Sequence, residues 1–174
     1  MRKDRGFTLV ELLISSGLFI VLVGLAAGVF IQTLRTQRII INLSASMNDA
    51  AFVIEGMARE IRTGSSFNDT TGEVEVLQFT NDDGEEVNYK LVTYSLGGGS
   101  VNGVGRCVGD CPNDNDYEIM TSPEVGLDRL NFILMGTEAG DNFPPRVSII
   151  LTVIGEKGIT INLQTTVSAR ILDT

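Results

Sequence analysis

From Leu12 to Leu34 the chain carries no charged residue, and its apolar side chains fall on every side of a helix. Those 23 residues suffice for a helix across the ~30 Å of a bilayer's hydrocarbon, at about 1.5 Å per residue. Beyond Arg35 the pattern narrows to one stripe. Ile40, Leu43, Met47, Ala50, Ala51, Ile54, Met57, Ala58 and Ile61 recur at spacings of mostly three and four, while Gln37, Asn42, Ser46, Asn48, Asp49, Glu55, Arg59 and Glu60 fill the other side. Glu55 and Arg59 form an i,i+4 pair in the favourable order. Arg59 and Arg62 suit the last turn, and Gly64 suits a left-handed stop after it. The pattern predicts a helix over 7–63, with a membrane half (7–35) and an amphipathic half (36–63). Two helices hinged near 35–38 would give the same pattern.

From Ser65 the period becomes two. Val74 and Val76 share one parity and Leu77 and Phe79 the other, which predicts a bulge. Asn81-Asp82-Asp83-Gly84 reads as a turn before the alternation of Val87, Tyr89 and Leu91. Leu130, Phe132 and Leu134 make one strand pattern, and Val147, Ile149, Leu151 and Val153 make another after Pro144-Pro145. Gly155-Glu156-Lys157-Gly158 then turns into the most regular alternation. Ile159, Ile161, Leu163, Thr165, Val167, Ala169 and Ile171 lie on one face, and Thr160, Asn162, Gln164, Thr166, Ser168 and Arg170 on the other. One buried and one wet face imply an antiparallel sheet laid on the helical stripe. The expected fold class is therefore α+β: a long N-terminal helix packed against a C-terminal antiparallel β-sheet head spanning 64–174, a single domain without repeats.

The start of the chain sharpens the reading. Met1-Arg2-Lys3-Asp4-Arg5-Gly6 is short and basic, and Gly6-Phe7-Thr8-Leu9-Val10-Glu11 leads into the apolar run. Arg2, Lys3 and Arg5 favour a cytoplasmic N-terminus with the remainder outside. Glu11, just inside the span, is costly there and asks for a reason. An ordinary secretory signal cut near Ala26-Ala27-Gly28 is the competing reading. Glu11 and the helical pattern continuing past residue 28 count against it.

The basic leader, Gly6 before Phe7, Glu11 at its spacing and the full apolar span together resemble the processing site of type IV pilins and type II secretion pseudopilins. The resemblance implies a leader of residues 1–6, cut between Gly6 and Phe7 by a prepilin peptidase that also N-methylates Phe7. Glu11 would then be the fifth residue of the mature chain and the assembly residue. The Phe7 α-amine, with a usual pKa of about 7.7–8, is mostly protonated at neutral pH, and a neighbouring subunit's Glu11 would pair with it. Leaving either charge unpaired in an apolar bundle costs several kcal/mol. A carboxylate that snorkels to the headgroups is the plainer alternative. Implied partners are the prepilin peptidase/N-methyltransferase, other pilins or pseudopilins through their N-terminal helices, and an inner-membrane assembly platform. The implied location is a single pass through the inner membrane with the head outside the cytoplasm.

Gly24-x-x-x-Gly28 permits close helix approach. Major pilins often carry proline where Gly28 stands, so its absence points to a minor subunit. Met57-Ala58-Arg59-Glu60-Ile61-Arg62 and Leu163-Gln164-Thr165-Thr166-Val167-Ser168 are similar to the PulJ/PilW group of minor subunits, and Glu11 argues against the K-type tip pseudopilins.

Composition narrows the function classes. Lys+Arg is 13 and Asp+Glu is 22, a net charge of −9, and loss of the leader would take the chain to about −11. An acidic head disfavours direct nucleic-acid binding. With no histidine, the commonest acid–base group and metal ligand is missing, and no phosphate loop or nucleophile elbow appears. An enzyme is not expected.

Segment 97–123 is the candidate variable part. Gly97-Gly98-Gly99-Ser100 reads as flexible. Outside the cytoplasm Cys107 and Cys111 would close a small ring worth about 2 kcal/mol, with free thiols as the alternative. Asp110, Asp114, Asp116 and Glu118 are the calcium candidates, although the spacing departs from an EF-hand, and a solvated acidic loop is the other reading. No other cofactor is expected. Three functions follow: a structural minor pilin or pseudopilin, a filament-tip adhesin using 97–123, and a membrane-anchored enzyme using Asp116 and Glu118.

Overall fold

The computed structural model describes residues 6–68, 71–123, 125–137, 143–155 and 158–170. Expectations for leader residues 1–5, for Glu156-Lys157 and for Ile171 lie outside them. The chain divides into two compact units, Met1–Ile41 and Asn42–Thr174. The helical assignment, α1, runs unbroken over Leu9–Thr63, with no interruption at 35–38. In the first unit its large apolar side chains are exposed, from Leu9 to Leu34. It is a helix long and apolar enough to cross a membrane, with an 18-residue window of mean hydropathy 2.5.

In the second unit, among the described residues, α1 is followed by eight strands: β1 (Gly72–Val74), β2 (Leu77–Thr80), β3 (Glu86–Leu96), β4 (Gly99–Val108), β5 (Glu118–Ile119), β6 (Gly126–Met135), β7 (Arg146–Ile154) and β8 (Thr160–Ser168). The α+β layout is as expected, a long apolar N-terminal helix against antiparallel sheet. The sheet is not one but two, ordered β1-β6-β7-β8 and β2-β3-β4-β5. This resolves the parity change after Val74. It is a crossing, not a bulge: β1 pairs with β6, and after Glu75-Val76 the chain enters the other sheet as β2, paired with β3. A bulge does occur elsewhere, where the β6–β7 register shifts between Leu127 and Arg129.

Ala50, Val53, Met57 and Ile61 form the buried line of α1, at spacings of three and four. They meet Leu77, Phe79, Val87, Tyr89 and Val104 of one sheet and Leu130, Phe132, Leu134, Val147, Ile149, Leu151 and Val153 of the other in one core. Phe67, Phe79 and Tyr89 stack in series, with centroids 5.4 and 6.1 Å apart. Of the expected stripe, Ile40 and Ala51 are exposed, and Leu43, Met47, Ile54 and Ala58 are only half-buried.

Gly64 ends α1 differently from the expected left-handed stop. Positive φ falls on Ser66 (51°) instead, and Gly64 is needed for space: a Cβ there would lie 2.5 Å from the Phe79 ring. Asn81 organises the β2–β3 turn as expected. Its carbonyl accepts from the Gly84 N–H, and its Oδ1 accepts from the Asp83 and Glu85 N–H groups at 3.1 and 2.8 Å.

Candidate processing and assembly site

Gly6, Phe7 and Thr8 precede the helix, and Gly6 and Phe7 are exposed. Among the described residues nothing lies within 4 Å of a Cβ built on Gly6. The Gly6–Phe7 peptide is therefore an exposed, non-helical bond directly before the helix. Thr8 starts the helix. Its carbonyl accepts the first helical bond, from the Leu12 N–H at 3.2 Å, and its Oγ1 accepts from the Glu11 N–H at 3.3 Å. Thr8 is thus the N-cap and Glu11 the third residue of the first turn, where a carboxylate also complements the helix dipole. The Thr8-x-x-Glu11 spacing is a capping-box pattern, the signal in the sequence for this helix start.

In the head, α1 is fixed to the second sheet by a half-buried polar cluster. The Glu60 carboxylate accepts from Arg106 Nε at 3.0 Å, from Arg106 Nη2 at 2.6 Å and from the Tyr89 hydroxyl. Burial alone would raise the Glu60 pKa, but the hydrogen bonds from Arg106 and Tyr89 outweigh it and hold the carboxyl below its ordinary range. Burial, then the bond to Glu60, pushes the Tyr89 hydroxyl upward. No substrate-sized reactive arrangement results: each charge is taken up by its partner, as in a structural clamp. Asp49 Oδ2 adds a second tie, accepting from the Ser122 N–H at 2.9 Å.

Segment 97–123 is more ordered than its composition implied. Leu96 pairs with Gly99, so Gly97 and Gly98 are the two loop residues of a hairpin, with φ of 58° and 89°. Two successive positive φ values are what a type I′ turn requires. The chain then returns along β3 as β4, residues 109–117 fold over the outer face of that sheet, and β5 extends its edge beside β4. Cys107 and Cys111 form a disulfide. Tyr117, Val92 and Cys107 make a small second core, with Lys90 Nζ 4.3 Å from the Tyr117 ring centroid. Gly103 and Gly105 admit this layer: a Cβ on Gly105 would lie 2.5 Å from Val92 Cγ2, and one on Gly103 would lie 2.7 Å from Ile119 Cγ2.

The four calcium candidates are not brought together as a ligand set. Asp114 pairs with Lys90 at 2.6 Å, and Asp116 Oδ2 accepts from the Asn113 N–H at 2.8 Å around a 3₁₀ turn at Asp114–Asp116. Glu118 lies exposed on β5, opposite Arg106, and Asp110 is exposed between the bend at Gly109 and Cys111. Among the described residues no three His, Cys, Asp or Glu side chains gather as a metal site would need.

Residues 1–27 match the family model described as the prokaryotic N-terminal methylation motif. No curated protein and no solved structure matches the chain significantly. The motif and the long apolar helix support a type IV pilin-like precursor with a methylation-type N-terminus, and they favour a structural subunit over an enzyme.

Proposed function

We propose that this chain is a minor pilin or pseudopilin of the PulJ/PilW kind, cut after Gly6, N-methylated on Phe7, and built into or priming a type IV pilus or a type II secretion pseudopilus. The observation that carries the reading is the exposed, non-helical Gly6–Phe7 bond set directly before the Thr8 cap and Glu11, within the stretch that matches the methylation motif. Cleavage there puts a cationic amine one residue ahead of the cap and a carboxylate one turn inside it. The spacing lets each subunit offer an amine and a carboxylate to its neighbours in an apolar bundle, and the cost of leaving either unpaired fixes the register. The basic leader orients the head to the outside. Prepilin peptidase, other pilins and the assembly platform are the partners of this reading.

Intact-mass and N-terminal peptide analysis of the chain from cells with an active prepilin peptidase tests it. The expected product begins at methylated Phe7. A chain that retains residues 1–6 in those cells overturns the reading.

A further inference from the structure

Strand β8 is the outer strand of its sheet, and among the described residues it pairs with no strand but β7. Its register with β7 is continuous over all nine residues, and Thr160–Ser168 contains no charge, proline, glycine or bulge. Exposed edges of this length and regularity are ordinarily blunted by just such features, because each presents a row of unpaired backbone groups. The orientation of those groups follows from the ends of the ladder. Ala169 N–H bonds to the Pro145 carbonyl and the Ile159 carbonyl accepts from Gly155, both in the β7–β8 register, so the odd residues face β7. Thr160, Asn162, Gln164, Thr166 and Ser168 therefore direct their N–H and C=O groups to the open side. Arg170, the next even residue, does the same and finds the Arg62 carbonyl at 2.9 Å.

A second feature lies beside that edge. The apolar stripe of α1 is wider than the sheet that covers it. Ala51, Ile54 and Ala58 border, with Leu163, a groove of about 300 Å³ along β8. One more strand on β8 would lay its inward side chains over these residues and complete their burial.

We infer that the open edge of β8 and the adjoining groove receive an extended strand from a different filament subunit, by strand addition. The inference rests on the filament reading above. A second copy of this chain does not fit. The other outer strands, β1, β2 and β5, are three, four and two residues long and cannot match a nine-residue edge. Pairing β8 with β8 about a twofold normal to the sheet would set the two α1 segments antiparallel, which chains anchored in one membrane by their N-terminal helices do not adopt. A twofold along the strands would instead turn the polar Asn162, Gln164 and Thr166 of the second copy onto the apolar groove. The occupant is a strand whose inward residues are apolar. Its edge-side residues need no charge, since β8 offers none.

A benzophenone amino acid at position 164 of the full chain, irradiated in cells that assemble the filament, tests this. The expected adduct joins the chain to another protein bearing a processed, methylated N-terminus. Gln164→Pro removes one outward N–H and leaves the β7 ladder intact, so the head keeps its thermal transition while recovery in filaments falls by at least about tenfold. An adduct of twice the chain's own mass overturns the inference, as does a processed, filament-borne chain with no adduct or with undiminished recovery of Gln164→Pro. A chain that keeps residues 1–6 removes the filament reading and this inference with it.

Discussion

Two single residues show how closely the head is fitted. Gly105 sits mid-strand where any side chain would meet Val92 and the Tyr117 Cβ, at 2.5 and 3.0 Å, and both neighbours are held in the small outer core. Gly105→Val should destabilise the head by ~1–3 kcal/mol through overpacking, read from denaturant unfolding; an unchanged midpoint would mean that the outer layer yields freely. Glu60 is the second. Its carboxyl is held below the ordinary 4.5, so the folded state binds its proton less readily than the unfolded chain. The stability this contributes is present above about pH 4.5 and is lost as pH falls through the lower folded value. Glu60→Gln should cost ~1–3 kcal/mol at neutral pH through lost charged hydrogen bonds, and the difference from the unaltered head should narrow in acid. A constant difference from pH 7 to pH 3 would remove the carboxylate from the acid response.

Among the elements, legibility followed how completely one side of each was buried. The buried alternation of β6 and β7 was plain in Leu130 to Leu134 and Val147 to Val153, because each faces the core along its length. β8 was equally plain, yet its inward residues are mostly half-buried, since it lies at an open edge that alternation does not reveal. β4 was invisible because Gly103 and Gly105 erase the apolar signal on one face, and on the other Arg106 takes a core position to meet Glu60. Those glycines are there for the layer that lies across them. That layer is held by the Cys107–Cys111 bridge, by Lys90 with Asp114, by Gly109 between Glu86 and Asn88, and by the short β5 pairing. Cys107→Ser/Cys111→Ser should loosen it by about 2 kcal/mol, the entropy of a small closed ring. Hydrogen exchange should quicken across 109–119 and remain unchanged in β6 and β7. Equal acceleration in both would show that the bridge supports the whole head.

At the scale of the whole molecule, the chain carries two kinds of unsatisfied surface. The apolar first half of α1 is satisfied by lipid or by other helices, and Glu11 by neither unless a cation stands near it. On the proposed filament reading, the carboxylate lies close enough to the headgroups to be tolerated alone while the chain is in the membrane, and the Phe7 amine of a neighbouring subunit would be its counter-charge once it is buried in a filament. Glu11→Gln separates the two states, because it makes the span easier to insert while removing the charge that a bundle must match. Thr8 still caps the helix, as the bond runs from the backbone N–H of residue 11 to Thr8 Oγ1. Cleavage after Gly6 and methylation of Phe7 should therefore persist, and the mature chain should accumulate in the membrane. Its recovery in sheared filaments should drop at least about tenfold, the scale of one unpaired charge in an apolar interface. Normal processing with normal filament recovery would show that Glu11 is not the register. Loss of processing together with recovery would place its role at the peptidase.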